Sequence, residues 1–377
     1  MRIGFDARFV TERRTGLGNY CLWLLEELVR QNAAHEFVVF GDGVGDLRAL
    51  ADVDGVSLVP AVSRPSSAGR AGAVFGHQID LARLINLQEV DIMHFPYYLE
   101  PALVRAPFIL TIHDVDTFRP GGRHSVWTRL YHNGLTRLLV RRAAALVTVS
   151  EFSREEIARY LNIPARDIRV IANGLSPHFK GDAHPAADPH DALPERYLLY
   201  AGGLGVRKNL RRMVDAFALA ADATGVDSRL VITGELAEVG QTLKAYVESR
   251  GLAGSVTFTG YLPDEEMPAL YRGALAAVYP STYEGFGLPV LEAMAMGVAV
   301  ITSRDSAMAE VAGGCAVLVD PGDTLSIAAG IGAVLGDRRL AKRIGERGPT
   351  RAAAFSWSNA ARSFNRLYAE IGDVAHD

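Results

Sequence analysis

Short runs of apolar and β-branched residues alternate along the chain with stretches in which apolar residues recur at helical spacing. Continuous apolar runs of this kind are typical of strands that are buried on both faces of a parallel sheet. The runs in the first half predict strands at 2–6, 36–41, 56–59, 90–95, 107–113, 144–149 and 168–172. Helix patterns between them are clearest at 19–31 and 125–142. The alternation predicts βαβ units.

Residues 181–194 interrupt this pattern, since they are rich in proline, aspartate, alanine and histidine and show no periodicity. Such a segment predicts an interdomain connection. A second series of strands is predicted at 196–201, 228–233, 255–259, 275–280, 298–301 and 316–319. The sequence thus predicts an α/β protein with domains at 1–182 and 195–356. A C-terminal helical segment, 357–377, is free to pack back on the first domain, and 63–72 is predicted to be a loop.

Composition narrows the classes of function. The 377 residues are 49% apolar and 22% charged, which is ordinary for a globular enzyme. A net charge of −4 argues against a dedicated nucleic-acid binder. Cys21 and Cys315 stand far apart and have no metal-ligand spacing, so we expect neither a disulfide framework nor a zinc site, and a cytoplasmic location. No apolar run is long enough to predict a membrane span.

The segment 279–302 carries the strongest chemical signal. A strand ends at Pro280, a loop with Glu284 follows, and a helix is predicted to start near Pro289. Free backbone N–H groups at a helix start form an anion site. Glu292 is predicted to lie one turn inside that helix. The alternative is an ordinary strand-to-helix turn with surface glutamates.

Two other glycine-containing loops follow predicted strands. In 201–210, Arg207 and Lys208 precede a helix and suit a diphosphate, although a solvated basic turn gives the same pattern. In 11–20, Gly16 and Gly18 precede the first helix and resemble part of a dinucleotide fingerprint, with Asp42 after the next strand. Cys21 occupies the position of the fingerprint's third glycine.

His113 and Asp114 end another predicted strand. A histidine at this position can hydrogen-bond a sugar hydroxyl or share a proton, and the alternative is a structural histidine. Asp114 and Asp116 form an Asp-x-Asp triplet, as do Asp52 and Asp54. Neither triplet has further ligands spaced nearby, so we expect no metal site.

Taken together, these segments resemble the retaining glycosyltransferases of family 4, whose GT-B fold has two Rossmann-like, doubly wound domains facing each other across a cleft. The resemblance covers nearly the whole chain. One departure is Ala172, where the family commonly has proline. The matching segments are TGLGNY (15–20), TIHD (111–114), VTVSEFSREEI (147–157), IANG (171–174), GGLGVRKNL (202–210), FTGYLPDEEMPALY (258–271) and EGFGLPVLE (284–292).

The resemblance implies a role for each matching residue. Glu292 would bind the donor ribose, and Glu284 the transferred sugar. His113 would lie near the reacting sugar and the acceptor. Catalysis is thereby expected from His113 and Glu284. Donor binding is expected from Gly16, Gly18, Arg207, Lys208, Gly260, Tyr261, Phe286, Gly287, Leu288 and Glu292.

Within the family, the N-terminal Asp-Ala-Arg (6–8) and the stretch 94–101 look most like bacterial mannosyltransferases of polysaccharide assembly. The resemblance therefore implies a metal-independent transfer of mannose from guanosine diphosphate mannose (GDP-mannose) to a glycan or to a polyprenyl-diphosphate-linked acceptor. A nicotinamide-dependent oxidoreductase using Gly16, Gly18 and Asp42 is the competing enzyme interpretation. A non-catalytic sugar-nucleotide-binding protein is the alternative outside the enzymes.

The stretch 117–150 contains six arginines and no acidic residue. Arg129, Arg137 and Arg141 fall on one face of its predicted helix. Such a face suits anionic lipid, so a peripheral contact with the inner face of the cell membrane through 117–142 is one hypothesis. The alternative is that these arginines pair with acidic residues elsewhere in the fold.

Overall fold

The computed structural model describes residues 1–11, 15–31, 35–42, 45–61, 69–98, 100–119, 126–180 and 193–376; side chains at 69–77, 126–131 and 374–376 are excluded from the description. The chain divides into two compact units, Met1–Gly174 with Ser356–Asp377, and Leu175–Phe355. The sequence places these boundaries at 182 and 356 instead. The first boundary lies earlier because Phe179 is buried and packs its ring against Tyr271, within the second unit.

The first unit is built on a parallel sheet of seven strands. In chain order the strands are β1 (Arg2–Asp6), β2 (Glu36–Gly41), β3 (Val56–Pro60), β4 (Ile92–Phe95), β5 (Phe108–Thr111), β6 (Ala145–Thr148) and β7 (Ile168–Val170). The helices between them are α1 (Gly16–Arg30), α2 (Asp46–Leu50), α3 (Gly69–Leu87), α4 (Val126–Arg142) and α5 (Glu151–Leu161). The strand order is β3-β2-β1-β4-β5-β6-β7.

The second unit repeats the plan with six parallel strands. These are β8 (Tyr197–Ala201), β9 (Arg229–Thr233), β10 (Val256–Gly260), β11 (Ala276–Tyr279), β12 (Ala299–Ser303) and β13 (Val317–Val319), in the order β10-β9-β8-β11-β12-β13. Its helices are α6 (Leu210–Thr224), α7 (Glu238–Ser249), α8 (Met267–Gly273), α9 (Leu288–Ala295), α10 (Ala307–Ala312), α11 (Thr324–Gly336) and α12 (Arg338–Ala352).

The last helix, α13 (Trp357–His376), belongs to the first unit. Its Tyr368 hydroxyl lies 2.7 Å from Nδ1 of His94 on β4. Gln31, at the end of α1, donates to the backbone carbonyl of Ser358 at 3.0 Å. Gly174 also packs closely against Trp357 at the start of α13. A Cβ at position 174 would lie only 2.2 Å from the Trp357 backbone nitrogen, so a larger residue would clash there.

The central strands are buried along almost their whole length, as continuous apolar runs predict. Both sheets reverse their strand order once, between β1 and β4 and between β8 and β11. Ligands of open α/β sheets bind outside the carboxyl ends of the strands at such switch points.

Two local predictions are wrong. The first helix begins at Gly16, not at residue 19, because the Thr15 side chain caps it. Of the predicted loop 63–72, residues 69–72 form the first turn of α3, and the remaining residues lie outside the described ranges.

Candidate functional site

The switch point of the second unit lies between the loops that follow β8 and β11, and these two loops are bonded to each other. The Thr282 backbone N–H and hydroxyl donate to the carbonyl of Arg207 at 2.8 and 3.1 Å. The Asn209 side chain donates to the carbonyls of Pro280 and Pro321 at 3.0 and 2.7 Å. Asn209 thus connects the two loops, and its side chain forms no capping hydrogen bond at the start of α6.

Three of the predicted site residues meet at this junction. The Lys208 ammonium donates a hydrogen bond to Oε1 of Glu284, and Nη2 of Arg207 lies 3.8 Å from Oε2 of the same carboxylate. The side chains of Lys208 and Glu284 are 18% and 12% exposed, so the pair is accessible but largely screened from bulk water. Two cations around one carboxylate leave one net positive charge, which suits an anionic ligand.

The start of α9 adds backbone donors beside this cluster. Gly287 is the residue before the helix, with φ +112°, and a Cβ there would lie 2.7 Å from Met308. No side chain caps the helix and its first turn has no acidic residue. Within the described ranges, no hydrogen bond is made by the N–H groups of Gly287 and Leu288. Bare N–H groups at a helix start bind anions.

Phe286, by contrast, faces inward. Its ring is buried and packs edge-to-face against Phe355, with ring centroids 5.7 Å apart. The side chain therefore anchors the loop directly before the Gly287 and Leu288 amides.

Glu292 lies one turn inside α9, where it forms a hydrogen bond that the sequence motifs did not reveal. The Tyr271 hydroxyl lies 3.2 Å from Oε2 of Glu292 and 2.8 Å from the Tyr279 hydroxyl. Burial raises the pKa of Glu292 to about 7; the hydrogen bond from Tyr271 opposes this shift and the charge of Asp264 adds to it. Near neutral pH this carboxyl is therefore present in both its protonated and its ionised form.

Gly260 and Tyr261 lie at the carboxyl end of β10, on the same edge of the sheet. The Gly260 carbonyl accepts from the Thr233 hydroxyl at 3.1 Å and from the Gly234 N–H at 2.9 Å. Gly260 itself has φ +77°. The chain turns there and leaves Tyr261 70% exposed, which makes its ring available to a flat ligand.

The first unit holds the remaining predicted residues. His113 lies two residues beyond β5, and its Nε2 is 2.9 Å from the Pro96 carbonyl. A carbonyl accepts only, so Nε2 carries a proton and, in the neutral ring, Nδ1 carries the lone pair. Burial lowers the pKa of His113, although Asp114 opposes the shift. The ring is therefore neutral at pH 7, and its edge packs against Tyr20.

Gly16 and Gly18 occupy the first turn of α1 instead of a loop before it. The Gly18 N–H points to the Thr15 hydroxyl, at 3.3 Å. Of the two amides that the sequence predicts for a phosphate, only that of Gly16 is unengaged within the described ranges. A phosphate at Gly18 would have to compete with the Thr15 cap.

A buried ionic cluster at the carboxyl end of β1 has no counterpart in the predicted site. Arg8 donates to Asp6 at 2.8 and 2.6 Å and to Oε2 of Glu100 at 2.7 Å. Burial raises the pKa of Asp6, but Arg8 outweighs burial and holds this pKa below its usual value. Burial and the Asp6 carboxylate raise the pKa of Glu100 well above its usual value. The cluster thus favours the ionised form of Asp6 and disfavours the ionised form of Glu100.

The arginines of α4 divide into two kinds. Arg142 donates to the backbone carbonyls of Ala102 and Val104. Arg137 and Arg141 are exposed and form no ion pair with any residue that the structure describes; Arg129 lies outside the described side chains. The predicted pairing of these arginines with acidic residues thus finds no support at Arg137 and Arg141.

Three negative findings apply to the described ranges alone. No group of three or more histidine, cysteine, aspartate or glutamate side chains is arranged to hold a metal ion. No helix there has both the length and the hydropathy that crossing a bilayer requires. Cys21 and Cys315 are both buried, free thiols.

Comparison with known proteins decides the family. The model of "Glycosyltransferase Family 4" matches residues 14–179, and that of "Glycosyl transferases group 1" matches 188–351. The O-antigen chain mannosyltransferase B of Escherichia coli is 32% identical, and the alignment covers 95% of this chain and 97% of that protein. The chain belongs to glycosyltransferase family 4. This membership argues against the interpretation of the protein as an oxidoreductase that binds a nicotinamide dinucleotide through Gly16, Gly18 and Asp42.

Solved structures agree on the fold of this family 4 glycosyltransferase. Sucrose-phosphate synthase from Thermosynechococcus elongatus superposes with a TM-score of 0.81 at 20% identity, over 99% of both chains. Anabaena HepE in complex with UDP-glucose gives 0.76 at 19% identity, over 98% of this chain and 100% of that chain. The two parallel, Rossmann-like sheets are those of the GT-B fold, as predicted.

Proposed function

We propose that this glycosyltransferase is a retaining α-mannosyltransferase that moves mannose from GDP-mannose to a glycan or to a polyprenyl-diphosphate-linked glycan. The observation that carries the proposal is the junction of Arg207, Lys208 and Glu284 beside the uncapped start of α9. The choice of mannose is supported by the 32% identity with the E. coli O-antigen mannosyltransferase.

The arrangement suits a sugar nucleotide group by group. The diphosphate is placed against Arg207, Lys208 and the Gly287 and Leu288 amides, which together supply positive charge without a metal ion. The ribose is placed at Glu292, and the base is placed beside the exposed Tyr261. Glu284 accepts from hydroxyls of the transferred sugar.

The reaction breaks the bond between C1 of the sugar and the β-phosphate oxygen. Charge develops on the departing diphosphate, where fixed cations and amide dipoles lower the barrier most. The sugar gains oxocarbenium character, as in glycoside hydrolysis. The acceptor oxygen then bonds to C1 from the face that the diphosphate leaves, and the acceptor proton passes to the phosphate oxygen.

In this proposal His113 binds a sugar hydroxyl through its Nδ1 lone pair. Its Nε2 proton is committed to the Pro96 carbonyl, and its lowered pKa keeps the ring neutral. A neutral ring of this tautomer accepts a hydrogen bond but does not act as a general acid, so the proton released by the acceptor goes to the phosphate.

A panel of sugar nucleotides tests the donor. A ligand that binds only the folded state stabilises it by about 2.7 kcal/mol at 100 times Kd. We expect GDP-mannose and GDP to raise the melting temperature, and UDP-glucose and nicotinamide dinucleotides to leave it unchanged. If only a uridine nucleotide raised the melting temperature, the assignment of GDP-mannose as the donor would be wrong.

Transfer is then tested with radiolabelled GDP-mannose and mannosyl oligosaccharide acceptors. The anomeric configuration of the product, read by proton NMR, tests retention. Donor binding without transfer or hydrolysis for any acceptor would favour the non-catalytic sugar-nucleotide-binding alternative.

A membrane-linked acceptor also needs a surface that meets lipid, and we place it on α4 of the first unit. Arg137 and Arg141 are exposed, Leu138 between them is 47% exposed, and Leu103 is 62% exposed. Arg142 brings the Leu103 loop against α4 through its bonds to the neighbouring carbonyls. Basic and apolar side chains together favour an anionic bilayer surface, here the inner face of the cell membrane.

Sedimentation with vesicles of phosphatidylglycerol and phosphatidylethanolamine tests this surface. The double variant Arg137→Gln/Arg141→Gln should lose binding about 30-fold, since each basic side chain near such a surface contributes about 1 kcal/mol and about 1.4 kcal/mol corresponds to a factor of ten. Arg338→Gln/Arg339→Gln removes the same charge from exposed positions on α12 and is the control. Equal binding by both variants would remove the membrane contact.

A further inference from the structure

The switch point of the first unit carries a pair of aromatic side chains that no role has yet explained. Phe9 lies in the turn that follows β1, and Tyr97 lies two residues beyond β4. Their ring centroids are 5.4 Å apart with an interplanar angle of 63°. Since β1 and β4 are the strands between which the order reverses, the two rings meet across the switch point itself.

Both rings are only partly buried, whereas the neighbouring aromatic side chain is part of the core. Tyr98 is 2% exposed, and its hydroxyl bonds the Thr117 hydroxyl at 3.0 Å. The Tyr97 ring rests on Tyr98, with centroids 4.4 Å apart. The pair therefore has a buried aromatic base and retains surface that a ligand can cover.

The buried ionic cluster fixes the two rings relative to each other. Arg8 precedes Phe9 in the β1 turn, and its guanidinium lies 5.9 Å from the Phe9 ring centroid. The same guanidinium bonds Glu100, which lies on the loop of Tyr97. One buried arginine thus links both loops, so the aromatic surface is rigid before a ligand arrives, and binding costs less conformational entropy.

The chemistry of this surface selects a sugar ring. Aromatic faces carry negative charge and aromatic edges carry positive charge. The C–H groups on one face of a hexose are polarised positively by the adjacent oxygens, so that face packs on aromatic rings while the hydroxyls remain free to bond. His113 lies next to the pair, because its Nε2 bonds the carbonyl of Pro96, the residue before Tyr97.

We propose that Phe9 and Tyr97 form the subsite that binds the terminal hexose of the acceptor glycan. This inference rests on the proposed glycosyl transfer, which provides the acceptor. It assigns sugar recognition to the first unit, and it makes Arg8 a positioning residue that holds the two aromatic loops together.

Kinetics of single variants test the subsite. Phe9→Ala and Tyr97→Ala should each raise the acceptor KM about 5- to 10-fold, the effect of losing one aromatic contact. The donor KM and the stabilisation by GDP should stay unchanged. Tyr97→Phe keeps the ring and should stay within about twofold of wild type. An unchanged acceptor KM in both alanine variants would overturn the subsite.

Tyr160→Ala is the matched control. Tyr160 is a partly buried aromatic residue of the same unit, on α5, and it also lies under an arginine, with Arg159 4.9 Å from its ring centroid. This variant should leave the acceptor KM unchanged. A rise equal to that of Tyr97→Ala would show a general loss of packing and contradict the assignment.

A binding measurement separates this inference from the proposed function. Saturation-transfer NMR with irradiation of the aromatic protons should label the C–H protons of an α-linked mannobiose in the wild-type protein but not in Tyr97→Ala. Absence of labelling in the wild type, or labelling of farnesyl phosphate alone, would overturn the subsite. A wild-type protein that shows labelling but no transfer would overturn the proposed function and retain the subsite.

Discussion

Lys208 and Glu284 are joined by a direct hydrogen bond between the ammonium group and Oε1, although 76 residues separate them in sequence. In this structure the carboxylate neutralises one of the two cations that we assign to the diphosphate. A diphosphate that binds there competes with Glu284 for Lys208, so the two residues should respond oppositely to substitution.

We predict that Glu284→Gln binds GDP at least as tightly as wild type, because the repelling carboxylate is gone, yet loses at least about 100-fold in transfer rate. Lys208→Met should weaken GDP binding about 10- to 100-fold as well as abolish transfer. Calorimetric titration with GDP and transfer of labelled mannose measure the two effects.

Arg211→Gln is the control for net charge. Arg211 lies three residues after Lys208 in sequence and has no assigned role. Its side chain is exposed and stacks on the ring of Tyr246. Its substitution should leave GDP binding within about twofold. If Glu284→Gln loses GDP affinity as Lys208→Met does, the carboxylate is part of the diphosphate site and the competition proposed here is wrong.

Donor affinity should depend on pH through Glu292. Burial raises the pKa of this carboxyl to about 7, and only the ionised form accepts hydrogen bonds from both ribose hydroxyls. The affinity for GDP-mannose should therefore fall as the pH drops from 8 to 6. This ligand is chosen because its diphosphate is esterified at both ends and does not titrate in that range.

The variant Tyr271→Phe tests the direction in which the pKa of Glu292 should move. The Tyr271 hydroxyl stabilises the ionised carboxyl, so its removal should raise the pKa of Glu292 and move the midpoint of the affinity profile to higher pH. Glu292→Gln should flatten the profile at the weaker, low-pH affinity. A profile that is unchanged in Glu292→Gln would place the titrating group elsewhere.

The sequence predicts much of the candidate site in the second unit, because each part of that site follows a local rule. Arg207 and Lys208 stand after a strand, and Glu284 and Glu292 flank a helix start, so their neighbourhood follows from parallel strands ending at one edge. The ends of strands are predicted less accurately than their positions along the chain. The predicted strand 107–113 includes His113, whereas β5 ends at Thr111.

Side-chain partners from distant segments could not be predicted in this way. The bond from Tyr271 to Glu292 and the bonds of Asn209 to Pro280 and Pro321 depend on tertiary packing. The pairing of Arg8 with Glu100 spans 92 residues and has no periodic signature. The position of α13 likewise depends on the fit between Gly174 and Trp357, which becomes visible only in three dimensions.

His94 should make the first unit sensitive to acid. Burial lowers the pKa of this histidine to about 3, with a further contribution from His113 and opposition from Asp6. Between pH 6.5 and 3 the unfolded chain binds a proton here that the folded chain excludes. Stability is therefore complete above pH 6.5 and falls below it by about 1.4 kcal/mol per pH unit.

Tryptophan fluorescence follows this unit alone, because Trp23, Trp127 and Trp357 all belong to it. His94→Gln should be less stable than wild type at pH 7, since it loses the contact with Tyr368, but its urea midpoint should fall less between pH 7 and 5. His178→Gln in the second unit is the control. An equal fall in wild type and His94→Gln would assign the acid sensitivity to other groups.

The buried cluster of Asp6, Arg8 and Glu100 contains two carboxyls whose pKa values are shifted in opposite directions, and amide substitutions distinguish them. Arg8 lowers the pKa of Asp6, whereas burial and the Asp6 carboxylate raise the pKa of Glu100. Glu100→Gln introduces a neutral group of the same shape at the carboxyl whose charged form burial disfavours, and it should cost about 1 kcal/mol or less. Asp6→Asn removes the carboxylate that Arg8 stabilises and should cost more than Glu100→Gln, because Glu100 must then ionise at a buried position to neutralise Arg8.

Urea unfolding followed by tryptophan fluorescence measures both changes in the unit that contains the cluster. Glu100→Ala is the packing control, since it deletes the side chain and should destabilise more than Glu100→Gln does. Equal losses in Asp6→Asn and Glu100→Gln would mean that the two carboxyls share the charge evenly. A larger loss in Glu100→Gln would reverse the assignment and make Glu100 the partner that neutralises Arg8.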